Sequence, residues 1–170
     1  MEYRRRLPHS QPVGTALFIT LRLHGTLPPH SGRESDTTLG QIWLKQPQIA
    51  ECVTTIILDG ERIRKLYHLL AFVVMPNHVH LLIEPQAQAP KIAQYLKGVS
   101  ARRSNRLLQR TGQPFWQRGS YDYWVRNSEE RDSLIRYIEE NPLLAGLVDS
   151  IEQWRFSSAF TSSYLVTLAN

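Results

Sequence analysis

Two imidazoles one residue apart, His78-Val79-His80, are the feature of this sequence with the plainest chemistry. They sit in Met75-Pro-Asn-His-Val-His-Leu-Leu-Ile-Glu84. On a strand, side chains alternate, so His78, His80, Leu82 and Glu84 share one face while Val79, Leu81 and Ile83 share the other. Neutral imidazoles so placed can chelate one divalent cation, with the buried opposite face fixing their direction. Histidines also occur in strands without any catalytic role, so the triplet alone leaves both readings open.

A metal on two histidines needs further ligands, and a phosphoryl-transfer site also needs a nucleophile. Tyr137 and Asn141 are spaced to lie within about 40° of each other on one helix face, beside the Leu134/Ile138 stripe. A phenol and an amide are thus available together. Of the other tyrosines, Tyr95 has Val99 as its i+4 neighbour and reads as core, Tyr67, Tyr121 and Tyr123 fall in predicted strands, and Tyr3 and Tyr164 are near the termini. Tyr137 is the best nucleophile candidate, set against a plain helix with Tyr137 at its core edge and Asn141 as a cap.

The elements that must position these groups follow from periodicity. Thr15 to His24 alternates, with Leu17, Ile19, Leu21 and Leu23 on one face, and reads as a strand. Gln41 to about Leu66 has a helical stripe of Ile49, Val53, Ile56 and Ile57, which Gly60 interrupts or ends. Strands at about Tyr67 to Met75 and His78 to Glu84 form a hairpin about Pro76-Asn77. A helix from about Lys91 to Gln109 turns Ile92, Tyr95, Leu96, Val99 and Leu107 inward, a strand lies within Phe115 to Val125, and Asn127 or Ser128 caps a third helix ending at Tyr137 to Asn141 before Pro142. Trp116 and Trp124 read as core, although aromatics mixed with cations also suit stacking on unpaired bases. The predicted class is α+β: a ferredoxin-like core whose mainly antiparallel sheet has helices packed on one face.

At 170 residues and 42% hydrophobic content the expectation is one domain over 1–170, with a basic N-terminal arm at 1–14 and a C-terminal tail at 149–170. No apolar run is long enough for a membrane span and no secretion signal opens the chain, so a cytoplasmic protein with no membrane partner is expected. Cys52 alone makes no internal disulfide and reads as a core thiol. The net charge of +5 is concentrated: residues 91–131 hold nine Lys/Arg against three acids. A basic excess so confined suits a polyanion, as well as a solvated helix face.

Tyr3-Arg-Arg-Arg-Leu-Pro-His9, Val74-Met-Pro-Asn-His-Val-His80, the Trp116–Asn127 segment and Ile135-Arg-Tyr-Ile-Glu-Glu-Asn-Pro-Leu-Leu-Ala-Gly-Leu-Val148 together resemble the REP-associated tyrosine transposases, single-tyrosine members of the His-hydrophobic-His class. The resemblance covers nearly the whole chain in order. It implies a nuclease and strand transferase on single-stranded DNA folded into hairpins, working through a 5′-phosphotyrosine, with no small-molecule cofactor. It further implies that His78 and His80 bind Mg²⁺ or Mn²⁺, that Tyr137 is the nucleophile, and that Asn141 matches a third ligand, with Glu84 competing for that place. Arg4, Arg5, Arg6, Arg102, Arg103 and Arg106 are the expected contacts to the hairpin backbone. The protein is expected as a monomer, or as a homodimer sharing its third helix. Two rivals are a non-catalytic single-stranded RNA or DNA-binding module and a metal phosphodiesterase without a covalent intermediate.

Overall fold

The computed structural model describes residues 14–26 and 40–160. Within them, strands β1 (Leu17–Arg22), β2 (Tyr67–Val74), β3 (His78–Pro85) and β4 (Tyr121–Trp124) form an antiparallel sheet in the order β2-β3-β1-β4. Helices α1 (Pro47–Arg62) and α2 (Ala89–Leu107) fall before β2 and after β3, and α3 (Ser128–Leu144) follows β4. This is the predicted α+β, ferredoxin-like succession.

One face is closed by α1 and α2. Leu17, Ile19 and Leu21 of β1 join Val79, Leu81 and Ile83 of β3 in a core with Ile49, Val53, Ile57, Ile92 and Leu96. The opposite face packs Phe18, Ala71, Val73 and Leu82 against Ile138 of α3. Helices therefore cover both faces, where the sequence reading put them on one. The physical reason lies in β2, which is apolar at successive positions from Ala71 to Val74 and buries all of them. A strand apolar at both parities needs cover on both sides.

Other boundaries move for local reasons. Gly60 does not end α1; it is buried inside the helix, where a Cβ would collide with the Tyr67 ring and hydroxyl. That phenol donates to the Ile57 carbonyl oxygen at 2.7 Å, so the ring cannot retreat without losing the bond. Leu107 is exposed because the buried side of α2 passes through Ser100, Ser104 and Asn105, and Leu107 sits about 160° round from Asn105. β4 is shorter than predicted; after an isolated bridge between Trp116 and Leu23, the chain leaves the sheet and returns at Tyr121. Trp116 is core as expected, its Nε1–H donating to Ser100 Oγ at 2.8 Å.

The third helix is fastened at both ends. Asn127 Oδ1 accepts from the Glu130 amide at 2.8 Å, and Glu130 Oε2 accepts from the Arg126 amide at 2.7 Å, a variant of the capping box. At the other end α3 does not stop before Pro142 but runs through it to Leu144. Pro142 removes one donor, and the turn still closes because the Ala145 and Leu147 amides donate to the Asn141 and Pro142 carbonyls, before Gly146 at φ 66° turns the chain away. The described part of the expected tail is bound to the sheet. Phe156 O accepts from the Val74 amide at 2.8 Å, Trp154 Nε1–H donates to Val74 O at 3.0 Å, and Ser158 Oγ donates to Glu139 Oε1 at 2.8 Å. This covers the edge of β2 and ties it to α3. The arm with Arg4, Arg5 and Arg6 lies outside the described residues.

Gly60→Ala, a favourable change in most helix interiors, should here destabilise the protein by about 1–3 kcal/mol through overpacking against Tyr67. A urea titration reads this directly. An unchanged or raised midpoint would show that Tyr67 relocates freely.

Candidate active site

The hairpin turn at Pro76-Asn77 delivers His78 and His80 to the α3 face of the sheet. Across β1 the register pairs Arg22 with His78 and Thr20 with His80, so the β1 side chains of the same parity, Phe18, Thr20 and Arg22, surround the imidazoles. Thr20 Oγ1 lies 2.8 Å from His80 Nδ1, and His78 Nδ1–H donates to Asn77 Oδ1 at 2.7 Å. Hydrogen bonds at Nδ1 orient both rings and leave the Nε2 atoms as the nitrogens a ligand could use. The two rings meet edge to face with centroids 4.6 Å apart.

From above, α3 brings Tyr137 down onto this group. Its ring centroid is 5.5 Å from that of His80 and 6.5 Å from that of Phe18, which itself stacks on His80 at 5.3 Å. Tyr137 Oη and His80 Nε2 are both buried atoms with no hydrogen-bond partner. Two orphaned polar atoms on adjacent rings are costly in a finished core and normal in a site built for a ligand.

The imidazoles are held neutral. Burial is the main cause for both; for His78 the neighbouring His80 and Arg22 add to it, taking it well below its usual range, and Arg22 helps push His80 down to about 3. Neutral, oriented imidazole nitrogens are the form in which histidine binds a cation. The donor set thus fits a divalent metal, although among the described residues no third His, Cys, Asp or Glu joins the pair. An amide remains as the nearby alternative.

Asn141 is buried one turn beyond Tyr137. Because α3 starts beside Glu84 and runs antiparallel to β3, the step from Tyr137 to Asn141, about 6 Å along the helix, matches the step from His80 back to His78, about 6.6 Å along the strand. Glu84 is placed apart: it lines a cavity with Asn127, Ser128 and Arg131 at the start of α3, about 13 Å along the helix from Tyr137. Arg102, Arg103 and Arg106 are exposed on α2, across the sheet from Tyr137. Within the basic segment, Lys97 Nζ donates to the Gln117 and Gly119 carbonyls at 2.6 Å each, and Arg110 lies 3.7 Å over the Trp43 ring. Those two cations serve the fold. Phe18, Thr20 and Arg22 were missed as site residues in the sequence, although their parity, opposite to Leu17, Ile19 and Leu21, already put them on the histidine face once β1 lies beside β3.

The sequence profile of the family described as "Transposase IS200 like" matches residues 44–141, which hold the histidine pair, Tyr137 and Asn141. The chain belongs to the IS200-like transposase family. The resemblance to REP-associated tyrosine transposases is borne out as well. A Haemophilus influenzae protein named as a REP-associated tyrosine transposase is 28% identical over 104 residues, which are 54% of this chain and 58% of that protein. The chain thus matches little more than half the length of that relative. A solved structure of a REP-associated tyrosine transposase bound to a REP hairpin superposes with a TM-score of 0.61 at 22% identity, covering 93% of this chain and 82% of the other. At that identity the likeness is one of fold.

The depressed histidines tie stability to pH. Since both bind protons more weakly folded than unfolded, the unfolded chain takes up more protons below about pH 6.5, and stability present at pH 7 is lost on acidification. Between pH 7 and 5, in chelator, each should cost up to about 2 kcal/mol of unfolding free energy. Urea melts at both pH values, compared with His80→Asn, check this. A pH dependence identical in the variant would show that His80 titrates normally in the fold.

Proposed function

We propose that this chain is a metal-dependent endonuclease and strand transferase acting on single-stranded hairpin DNA through a covalent 5′-phosphotyrosine at Tyr137. The observation that carries the reading is the buried, unpartnered Tyr137 hydroxyl beside an unpartnered His80 Nε2, in a chain of a transposase family. The relative of known structure, described as bound to a REP hairpin, supports the choice of hairpin DNA.

In this reading Tyr137 Oη attacks the scissile phosphorus, the P–O bond to the 3′ oxygen breaks, and the phenolic proton passes to water while the departing oxygen takes one up as a free 3′-hydroxyl. A phenol has a pKa near 10 in water, so the attack needs charge stabilisation. His78, His80 and Asn141 would hold Mg²⁺ or Mn²⁺, which would supply Lewis acidity toward the phosphate. Arg22, beside both histidines, places a guanidinium where phosphate charge develops. Phe18 and Leu82 keep the base of the site dry. The phosphotyrosine conserves the phosphodiester bond energy, so the 3′-hydroxyl of another strand can reverse the step and join DNA.

Arg102, Arg103 and Arg106 are proposed to hold the hairpin backbone together with Arg4, Arg5 and Arg6. The α2 arginines follow Ser100, which binds Trp116, and Trp116 bridges to Leu23 at the Asn77 end of the sheet. A strand leaving the site over that end comes within their reach.

Incubation with labelled palindromic single-stranded DNA and Mn²⁺ or Mg²⁺ should give a DNA-protein adduct on denaturing gels. Chelator should abolish it, and Tyr137→Phe should reduce it by about three orders of magnitude or more. Metal-dependent cleavage without an adduct in both proteins would turn the assignment to a phosphodiesterase, and binding without cleavage to a non-catalytic module.

A further inference from the structure

We propose that Tyr121, on the edge strand β4, is a stacking platform for an unpaired base of the DNA strand that enters the site. This rests on the reading of the site as one for single-stranded DNA and adds to it a position where a base is held.

Tyr121 pairs with Thr20 across β1, and Thr20 in turn pairs with His80. The phenol side chain therefore stands on the same face as the histidines, two strand spacings away, about 10 Å. Thr20 lies between them, and a row of rings runs beside it, two residues further along the strands. Tyr121 meets Tyr123 at 5.9 Å, Tyr123 meets Phe18 at 5.4 Å, and Phe18 stacks on His80. An aromatic row thus runs from the rim of the sheet to the candidate nucleophile.

The row is covered at one end only. α3 lies over β2 and β3, and β4 forms the outer edge of the sheet. Tyr121 is 57% exposed, and among the described residues it is the one aromatic in the set of exposed large hydrophobic side chains. A cross-strand aromatic contact with Tyr123 would explain a tyrosine here for the sheet alone. It does not explain why the outermost ring of the row is left open to solvent beside a buried site. Every base has a π-face, so an exposed ring on a path to the nucleophile captures an unpaired base whatever its identity. The 10 Å span corresponds to about three nucleotides at the duplex rise of 3.4 Å per strand, and fewer in an extended strand. Arg118 and Arg126, both exposed, flank β4 in the chain and offer cations for the backbone of such a strand.

The test uses the full chain and palindromic DNA hairpins, with and without mixed-sequence single-stranded flanks, in chelator. Wild type should bind flanked hairpins more tightly than bare ones. Tyr121→Ala should remove that preference, about tenfold in affinity, and leave binding of bare hairpins unchanged. Tyr121→Phe should retain it, since stacking needs the ring and not the hydroxyl. An abasic flank at one position, scanned through the flank, should reproduce the loss with wild type, and 2-aminopurine at that position should be quenched by wild type and not by Tyr121→Ala. Equal affinity of Tyr121→Ala and wild type for flanked hairpins overturns the platform while leaving the proposed function intact. Failure of wild type to bind any of these DNAs overturns both.

Discussion

Burying two imidazoles and a phenol hydroxyl under a helix, beside a guanidinium, is the constraint on which this molecule turns. The α1/α2 face of the sheet is apolar and closes by ordinary hydrophobic packing. The α3 face carries Thr20, Arg22, His78 and His80 amid Phe18 and Leu82, and an uncompensated polar group there costs on the order of 1–3 kcal/mol. Two of those costs are offset locally by the Nδ1 hydrogen bonds of the histidines. His80 Nε2 and the Tyr137 hydroxyl are left without partners, so the helix is held over this face by something other than the site.

What holds it is distributed around the site. Ile138 packs into the apolar part of the face, Asn127 and Glu130 satisfy the first turn, and the segment from Trp154 to Ser158 binds both the β2 edge and Glu139. With α3 pinned at its start, flank and end, Tyr137 is directed by the backbone and needs no bond of its own. A tyrosine restrained by its neighbours keeps its hydroxyl free of a partner, which is what the proposed role as nucleophile requires.

Charge is arranged by the same division of faces. Arg22 sits beside the histidines and favours their neutral form, which suits cation binding; the same guanidinium favours an anion in the site. The other cations are spread over the α2 layer and the flanks of β4, with Lys97 and Arg110 committed to carbonyls and to a tryptophan ring. The basic excess seen in the sequence is therefore partly structural and partly exposed surface.

Alternation and spacing in the sequence determined the strands and helices, the face shared by His78 and His80, and the pairing of Tyr137 with Asn141 on one side of a helix, because periods of two and 3.6 are local properties of the backbone. They also contained the apolar β2 run that demands cover on both faces. Only the tertiary structure decided that α3 supplies this cover, that it runs antiparallel to β3, and that Tyr137 meets His80 while Glu84 lies at the far end of the helix. Those outcomes depend on strand order and on where the chain turns after β4, which bring together residues some sixty positions apart. Thr20 and Arg22 illustrate the division: their parity was written in β1, but their neighbours were set by β1 pairing with β3 across a helix and a hairpin. Gly60 does the same for packing, since its small size is explained by a tyrosine seven residues on whose ring the fold returns to it.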